Sequence, residues 1–284
     1  MINIIDGKIK DLGDGFQVRR ILPHGSLRTV GPFVFVDHMG PVKIERDKAL
    51  TVRAHPHIGL STVTYLYEGV IHHKDSIGSD VLIYPNEVNW MTAGRGIVHS
   101  EHSRLDPQFT NLHGMQVWVA LPKEYEEVNP TFEHYDAAVL PEIKNDAYTL
   151  RIIAGSFMGQ SSPVKTHSPL FYADLQLKKN IKIPLDFPRG HDAALYVARG
   201  EIRVSGQSVL TGAMIALTKD TPCEVEATED ARIAILGGEP LKDPRHLWWN
   251  FVSTSKERIE EAKEAWRKNA MGAVAGETDR IPLP

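Results

Sequence analysis

The sequence predicts an all-β protein made of two β-barrel units in tandem, with one α-helix near the C-terminus. Short runs rich in β-branched and aromatic residues recur between residues 52 and 121, and Gly, Pro, Asn and Asp separate them. A similar series of runs occupies residues 148–236. Many short strands at this spacing are typical of sandwiches and barrels. Helical periodicity is found only after residue 254.

The first half contains an apolar run, Phe33-Val34-Phe35-Val36, which is suited to a buried strand. Between residues 122 and 147 the composition changes, because charged residues and prolines replace the strand pattern. We interpret this stretch as the crossover between domains. The predicted domains are an N-terminal barrel that carries the candidate metal site, residues 1–127, and a C-terminal barrel without metal ligands, residues 128–284.

The two halves share a weak internal repeat. Tyr65-Leu66-Tyr67-Glu68-Gly69 in the first half corresponds in spacing to Leu195–Gly200 in the second. His191 stands where the first half has a histidine pair, but it has no companion at ligand spacing. A lone histidine does not hold a metal ion against water at useful affinity. We therefore interpret the second copy as structural or as a degenerate pocket.

The C-terminal helix is predicted over about residues 255–271. Thr254-Ser255-Lys256-Glu257 is a capping-box pattern. Apolar residues follow at helical spacing, namely Ile259, Ala262, Trp266 and Ala270. Gly272 is suited to the end of the helix.

Composition bounds the class of protein. The 284 residues are 42% hydrophobic and 24% charged, with a net charge of −4, which is typical of a soluble globular protein and favours neither nucleic acid nor membrane as a partner. The one cysteine, Cys223, fits a reducing compartment. We expect a cytoplasmic protein, or a nuclear one if the source is eukaryotic. The sequence has no nucleophile elbow, phosphate-binding loop or zinc-protease motif.

Two pairs of ligand-type residues lie about forty positions apart, His55-Pro56-His57 and His99-Ser100-Glu101. In a strand, residues i and i+2 point to the same face. If the two strands are neighbours, three imidazoles and one carboxylate converge. A single pair could occur by chance on a solvated loop. Two pairs in one strand-rich unit favour a metal site with His55, His57, His99 and Glu101 as ligands.

The remaining histidines are assigned to other roles. His102 follows Glu101 directly, so it faces away from the metal. His72 and His73 lie in a polar stretch after Gly69, which is typical of a solvated hairpin. Asp37 and His38 follow a predicted strand and could line a pocket mouth, and His24 is left unassigned. Structural roles are expected for His113, His134, His167 and His246.

The N-terminal barrel resembles a cupin, and the whole chain resembles the pirin family. The matching segments are His55-Pro56-His57-x-Gly59, Thr62-Val63-Thr64-Tyr65, Glu68-Gly69 and the run Trp90–Glu101. The usual first-motif glutamate of cupins would fall at Thr62, which is a poor metal ligand. In pirins, as here at Glu101, the carboxylate comes two residues after the second-motif histidine.

The resemblance implies two cupin (jelly-roll) barrels with a metal ion, usually iron, in the N-terminal one. Bacterial relatives can act as quercetin 2,3-dioxygenases, and a vertebrate relative acts as a nuclear, redox-sensitive transcription co-regulator. The same mixed N/O ligand set suits Fe(II) and also Ni, Co, Mn, Cu or Zn.

Two functions follow as the main expectations, and a metal-dependent isomerase or hydrolase that uses the same barrel is a third, weaker one. In the first, the protein is a dioxygenase that opens the ring of a flavonol-like aromatic substrate with O2, and Glu101 acts as ligand, as base or as both. In the alternative, it is a non-enzymatic, iron-binding regulator whose oxidation state is read by a protein partner, and Arg95 belongs to the switch.

Overall fold

The computed structural model describes residues 3–12, 16–44 and 50–284, and these form a mostly β protein. The all-β prediction is confirmed, as is the one α-helix near the C-terminus of the described chain. No helix within those residues is long and apolar enough to cross a membrane. The strands, in chain order, are β1 (Asn3–Asp6), β2 (Lys8–Asp11), β3 (Gln17–Leu22), β4 (Phe33–Lys43), β5 (Thr51–His57), β6 (Leu60–Glu68), β7 (Val70–Asp75), β8 (Asp80–Ile83), β9 (Val88–Thr92), β10 (Ile97–Arg104), β11 (Asn111–Ala120), β12 (Thr131–Tyr135), β13 (Glu142–Lys144), β14 (Tyr148–Phe157), β15 (Gln160–Ser161), β16 (Leu170–Leu177), β17 (Lys182–Leu185), β18 (Asp192–Arg199), β19 (Glu201–Val204), β20 (Gln207–Leu210), β21 (Ala213–Ala216), β22 (Cys223–Ala227), β23 (Ala231–Gly238), β24 (His246–Trp248) and β25 (Phe251–Ser253). The α-helix, α1, spans Lys256–Arg267.

The chain forms two compact units, and neither is a continuous segment. The first unit comprises Ile9–Val18, Met39–Ala137 and Lys242–Pro284. The second unit comprises Met1–Lys8, Arg19–His38 and Ala138–Leu241. The predicted boundary between residues 127 and 128 therefore differs from the observed division, and α1 belongs to the first unit instead of the C-terminal barrel.

Local pairing explains why the boundary lies elsewhere. Strand β12 pairs with β9, with Thr131 opposite Thr92, so the expected crossover belongs to the first unit as far as Ala137. At the other end, β1 pairs with β21, which places the start of the described chain in the second unit. Both segments are too short and polar for periodicity alone to reveal their partners.

The first unit contains a four-stranded sheet, β5-β10-β7-β8, and most of a seven-stranded sheet, β12-β9-β6-β11-β4-β3-β2. The second unit repeats this order, with β17-β22-β19-β20 in the place of the four-stranded sheet. Because the order is the same, β17 and β22 occupy the positions of β5 and β10. The internal repeat seen in the sequence thus corresponds to a repeated topology.

The second unit has an apolar core where the first has its histidines. In the β17–β22 pair, Ile183 lies opposite Val225 and Leu185 opposite Cys223. All four side chains are buried in one hydrophobic cluster. His191 lies outside this core, beside an open cavity of about 680 Å³. Every His, Cys, Asp or Glu cluster with metal-ligand spacing in the described ranges lies in the first unit.

Helix α1 packs on the first unit through one face. Ser255 caps its start, because the side-chain oxygen accepts a hydrogen bond from the backbone N–H of Arg258. Ile259, Ala262 and Trp266 are buried in a cluster that includes Ala54 and Val98. Since Ala54 and Val98 belong to β5 and β10, the helix supports the strand pair that carries the histidines. The chain end continues this support, because Ile281 donates its N–H to the Ala54 carbonyl at 2.9 Å.

Candidate metal centre

Strands β5 and β10 are antiparallel neighbours, as the two sequence pairs required. His55 lies directly opposite His99, and Ile97 lies opposite His57. The register shifts between His99 and Glu101, so that Glu101 lies opposite Val52. This irregularity follows the pattern of a β-bulge, which locally re-aims side chains. The predicted adjacency of the two strands is confirmed.

The three imidazoles form a compact triangle. The ring centroids of His55 and His99 are 4.3 Å apart, and those of His57 lie 5.0 Å from each of the other two. Nε2 of His57 lies 3.1 Å from Nε2 of His99. One ring nitrogen from each histidine lies within 4.8 Å of the others, and all three side chains are buried.

Backbone carbonyls fix the orientation of two of these rings. Nδ1 of His55 lies 2.8 Å from the carbonyl oxygen of Arg53, and Nδ1 of His57 lies 3.2 Å from that of Asn250. A carbonyl oxygen can only accept, so each Nδ1 carries the proton and donates. In a neutral imidazole the other nitrogen, Nε2, then presents a lone pair.

Burial keeps the cluster neutral. Desolvation lowers the pKa of His55 to about 4. It also lowers the pKa values of His57 and His99 well below their ordinary range, and the neighbouring histidines lower them further. Neutral imidazoles are the form that binds metals.

These residues fit a divalent cation. Nε2 of His57 and His99 face each other at 3.1 Å, and the Nδ1–H donation of His57 leaves no proton on its Nε2. A contact this short requires either a proton on Nε2 of His99 or a cation that both nitrogens bind. A donor set of three imidazoles suits iron, nickel, copper and zinc ions.

Glu101 lies beside the triangle, next to His99. Its Oε1 accepts a hydrogen bond from the Thr64 hydroxyl at 3.0 Å, and Gln116 Nε2 lies 3.4 Å from the same oxygen. One oxygen of Glu101 lies within 4.8 Å of donor atoms of His99 and His73. Burial raises the pKa of Glu101, although the nearby His73 and the hydrogen bonds from Thr64 and Gln116 oppose this shift. The carboxylate therefore has a higher than usual affinity for a proton.

The expectation that His73 belongs to a solvated hairpin is wrong. Its side chain is only 2% exposed and its Nδ1 lies 3.4 Å from Nδ1 of His99. Strand β7 is the neighbour of β10, with His73 opposite Glu101 and His72 opposite His102. Strand alternation then directs His73 inwards, while His72 contacts Arg104 and Asp80 on the other face. The spacing His73-x-Asp75, which places two polar side chains on one strand face, was the sequence signal for this role.

The other assigned residues lie away from the triangle. His102 Nε2 contacts Glu277 at 2.8 Å on the opposite face of β10, as parity predicts. Asp37 is buried in the second unit and receives two hydrogen bonds from Arg20. His38, in the same unit, lies 2.7 Å from the Tyr196 hydroxyl. Asp37 and His38 therefore have hydrogen-bond partners within the second unit.

Strands β6 and β11 supply further side chains around the centre. Thr64 lies opposite Gln116, and Thr62 lies opposite Trp118. The Trp118 ring is 5.0 Å from that of His57 in an edge-to-face arrangement. Thr62, at the usual glutamate position, is buried. The arrangement thus combines a neutral triad of nitrogen donors, a proton-accepting carboxylate and an aromatic surface.

The chain matches two family models, Pirin over residues 15–119 and the Pirin C-terminal cupin domain over residues 172–272. It is 45% identical to a pirin-like protein of Caulobacter vibrioides, and the match covers 100% of both chains. Its structure is similar to that of a quercetin 2,3-dioxygenase from Acinetobacter baumannii, with a TM-score of 0.93, 34% identity and coverage of 100% of this chain and 95% of that one. A second quercetin 2,3-dioxygenase structure from the same organism gives a TM-score of 0.88 and 29% identity, covering 95% of this chain and 97% of that one.

Two topologically equivalent β units, one with a buried histidine triad and one without, define a two-cupin protein. With the family matches covering both units, the chain belongs to the pirin family.

Proposed function

We propose that this protein is a metal-dependent dioxygenase of the quercetin 2,3-dioxygenase type. It would open the ring of a flavonol-like substrate with O2 and release CO. The observation that carries the proposal is the neutral, buried triad of His55, His57 and His99, in which one ring nitrogen of each lies within 4.8 Å of the others. The similarity over the whole chain to a quercetin 2,3-dioxygenase structure supports the same reaction class.

The proposed ligands are His55, His57 and His99 through Nε2, with Glu101 as the fourth. Fe(II) is the first candidate ion, and Ni, Co, Mn, Cu and Zn suit the same donors. When bound, such an ion would supply Lewis acidity and, if six-coordinate with these four ligands, at most two open positions for the substrate's 3-oxygen and O2.

Glu101 is proposed to take the proton of the substrate's 3-hydroxyl. Its raised pKa favours proton uptake, and the Thr64 and Gln116 contacts hold its position on the strand. A general base positioned within hydrogen-bond reach contributes about 10²–10⁴-fold to a rate. Trp118, beside His57, offers an aromatic surface against which a planar substrate can pack.

The test is turnover by protein loaded separately with each ion. The metal-free protein is prepared with chelator, loaded, and mixed with quercetin in air-saturated buffer. Loss of flavonol absorbance should match O2 uptake and CO release in a one-to-one-to-one ratio. His99→Ala should abolish all three signals. His102→Ala is the matched control, because this histidine lies on the opposite face of the same strand and should leave turnover unchanged.

Absence of flavonol loss with every one of these ions would defeat the dioxygenase proposal. If iron binds without turnover, and oxidised and reduced protein bind a partner differently, the regulatory alternative is favoured instead.

A further inference from the structure

We propose that Asp75 and His73 form a hydrogen-bonded relay to His99, which makes His99 a stronger electron donor to the metal than His55 or His57. The relay rests on the metal site of the proposed function, but not on the reaction catalysed there. His73 and Asp75 are positioning residues, since neither is proposed to touch the ion or the substrate.

Four distances define the relay. Nδ1 of His99 lies 3.4 Å from Nδ1 of His73, and Nε2 of His73 lies 3.2 Å from Oδ2 of Asp75. The other oxygen of Asp75 accepts the backbone N–H groups of Ile77 and Ser79 at 3.0 and 2.9 Å. The carboxylate is thus held by two backbone donors and directs its free oxygen to His73.

The direction of donation follows from the carboxylate. Oδ1 of Asp75 accepts two backbone N–H groups and Oδ2 faces Nε2 of His73, which is the contact pattern of an ionised carboxylate, and in spite of burial these hydrogen bonds lower its pKa. An ionised carboxylate only accepts, so a neutral His73 carries its proton on Nε2 and presents a lone pair at Nδ1. His99 must then carry its proton on Nδ1, which leaves Nε2 free for the metal. The relay therefore selects the tautomer of His99 that metal binding needs.

Packing holds His73 in this position. Strand β7 pairs with β10 so that Asp75 lies opposite His99 and His73 lies opposite Glu101. The Phe132 ring stacks on the His73 ring at 4.3 Å with an interplanar angle of 16°. Both His73 and Asp75 are 2% exposed, so water does not compete for their hydrogen bonds.

The relay distinguishes His99 from the other two histidines. His55 and His57 donate from Nδ1 to neutral backbone carbonyls. His99 donates to an imidazole that is itself bound to a buried carboxylate. A carboxylate behind a ligating imidazole raises its basicity, and loss of such partners weakens metal affinity by about 10–100-fold. Greater basicity also stabilises the higher oxidation state of a bound iron ion.

The decisive variant is Asp75→Asn. Its side-chain oxygen can still accept from Ile77 and Ser79, while its NH₂ group replaces the acceptor that faces His73. His73 must then accept at Nε2 and carry its proton on Nδ1, where it opposes the Nδ1–H of His99. Fe(II) affinity, measured by chelator competition, should fall by about 10–100-fold. If the ferric state loses tenfold more affinity than the ferrous state, the reduction potential rises by about 59 mV.

Asp80→Asn is the matched control. Asp80 is an exposed carboxylate that contacts the other histidine of the pair, His72, on the outer face. This variant should keep the wild-type affinity and potential. Wild-type values in a folded Asp75→Asn protein would overturn the relay.

A measurement on the unaltered chain tests the relay even if Asp75→Asn does not fold. In Zn-loaded protein, ¹⁵N NMR should show His73 protonated on Nε2 and unprotonated on Nδ1, and the reverse tautomer would overturn the relay.

Two ions per chain, falling to one in His73→Gln, would also overturn the relay, because His73 would then be a ligand. Failure of the wild type to bind any ion would defeat the relay and the metal site together. None of these readouts uses a flavonol, so a protein with an intact relay and no turnover would defeat only the dioxygenase.

Discussion

His57, a candidate metal ligand, points its Nδ1 at the backbone carbonyl of Asn250, 3.2 Å away and 193 positions further along the chain. The segment that carries Asn250 follows the last strand of the second unit and returns to the first. Val252 in the same segment donates its N–H to the Ile58 carbonyl at 3.2 Å. The orientation of a ligand in the N-terminal half therefore depends on residues near the C-terminus.

Glu126→Gln should loosen this segment. Glu126 is buried, accepts hydrogen bonds from the Ser253 hydroxyl and the Thr254 N–H at 2.9 Å each, and lies 3.3 Å from Arg245 Nε. Neutralising it leaves the buried guanidinium with backbone carbonyl acceptors but no opposite charge, which costs about 3 kcal/mol of the free energy of unfolding. Denaturant unfolding of the metal-free protein measures this loss. Glu124→Gln, an exposed carboxylate two positions earlier, is the control, and equal stability of both variants would contradict the assignment.

Glu101→Gln should separate binding from turnover. The three histidines still hold the ion at saturating concentration, but the amide cannot accept the substrate proton, so kcat should fall by at least about 100-fold. Metal content and flavonol turnover, measured on the same sample, check the retained binding and the lost catalysis. Glu277→Gln should behave as wild type, because Glu277 contacts Ser100 and His102 of β10 from outside the candidate site. Near-normal kcat in Glu101→Gln would exclude Glu101 as the base.

Acid should destabilise the metal-free protein through the triad. Burial lowers the pKa of folded-state His55 from an ordinary 6.5 to about 4. It also lowers the pKa values of His57 and His99 well below 6.5. Between about pH 6.5 and 4 these three histidines are therefore protonated in the unfolded chain but remain neutral in the folded protein. The free energy of unfolding should fall with pH by up to about 1.4 kcal/mol per unit for each histidine.

Glu101 acts in the opposite direction. Its raised pKa gives stability that is complete below its ordinary value of 4.5 and is lost as pH rises through the folded pKa. The effect of this one carboxyl group on the free energy of unfolding offsets only part of the effect of the three histidines. Urea unfolding in the presence of chelator, at about pH 7, 6 and 5, measures the slope, and His55→Asn should reduce it. A slope of zero in the wild type would contradict the buried, neutral triad.

The second unit should bind no ion. The positions equivalent to the β5–β10 histidines carry apolar side chains, Ile183, Leu185 and Val225, within its core. Elemental analysis of the loaded protein should give one ion per chain, and His191→Ala should leave this value unchanged. A second ion that disappears in His191→Ala would show that the second unit retains a metal site.

Much of this arrangement could be predicted from local pattern. Strand parity placed His55 and His57 on the same face of one strand, and His99 and Glu101 on the same face of a second strand. It placed His102 on the opposite face of that second strand. The topological repeat was visible in the spacing of Gly69 and Gly200. These features depend on residues that are close together in the sequence, where the period of a strand determines direction.

What could not be predicted depends on pairing between distant strands. The hairpin after Gly69 looked solvated because every residue from His72 to Ser76 is polar, but the pairing of β7 with β10 buries the His73 and Asp75 side chains. The C-terminal helix looked like the end of the second barrel because it follows that barrel in sequence. Its apolar face, through Trp266, instead packs against residues of β5 and β10.

The most direct test of the account is the position of the bound ion. Crystals of iron-loaded protein, measured at the iron absorption edge, should give one anomalous peak within bonding distance of Nε2 of His55, His57 and His99 and of a carboxylate oxygen of Glu101. The peak should lie on the side of His99 opposite to His73. A peak between Nδ1 of His99 and the His73 ring would contradict both the proposed ligand set and the relay.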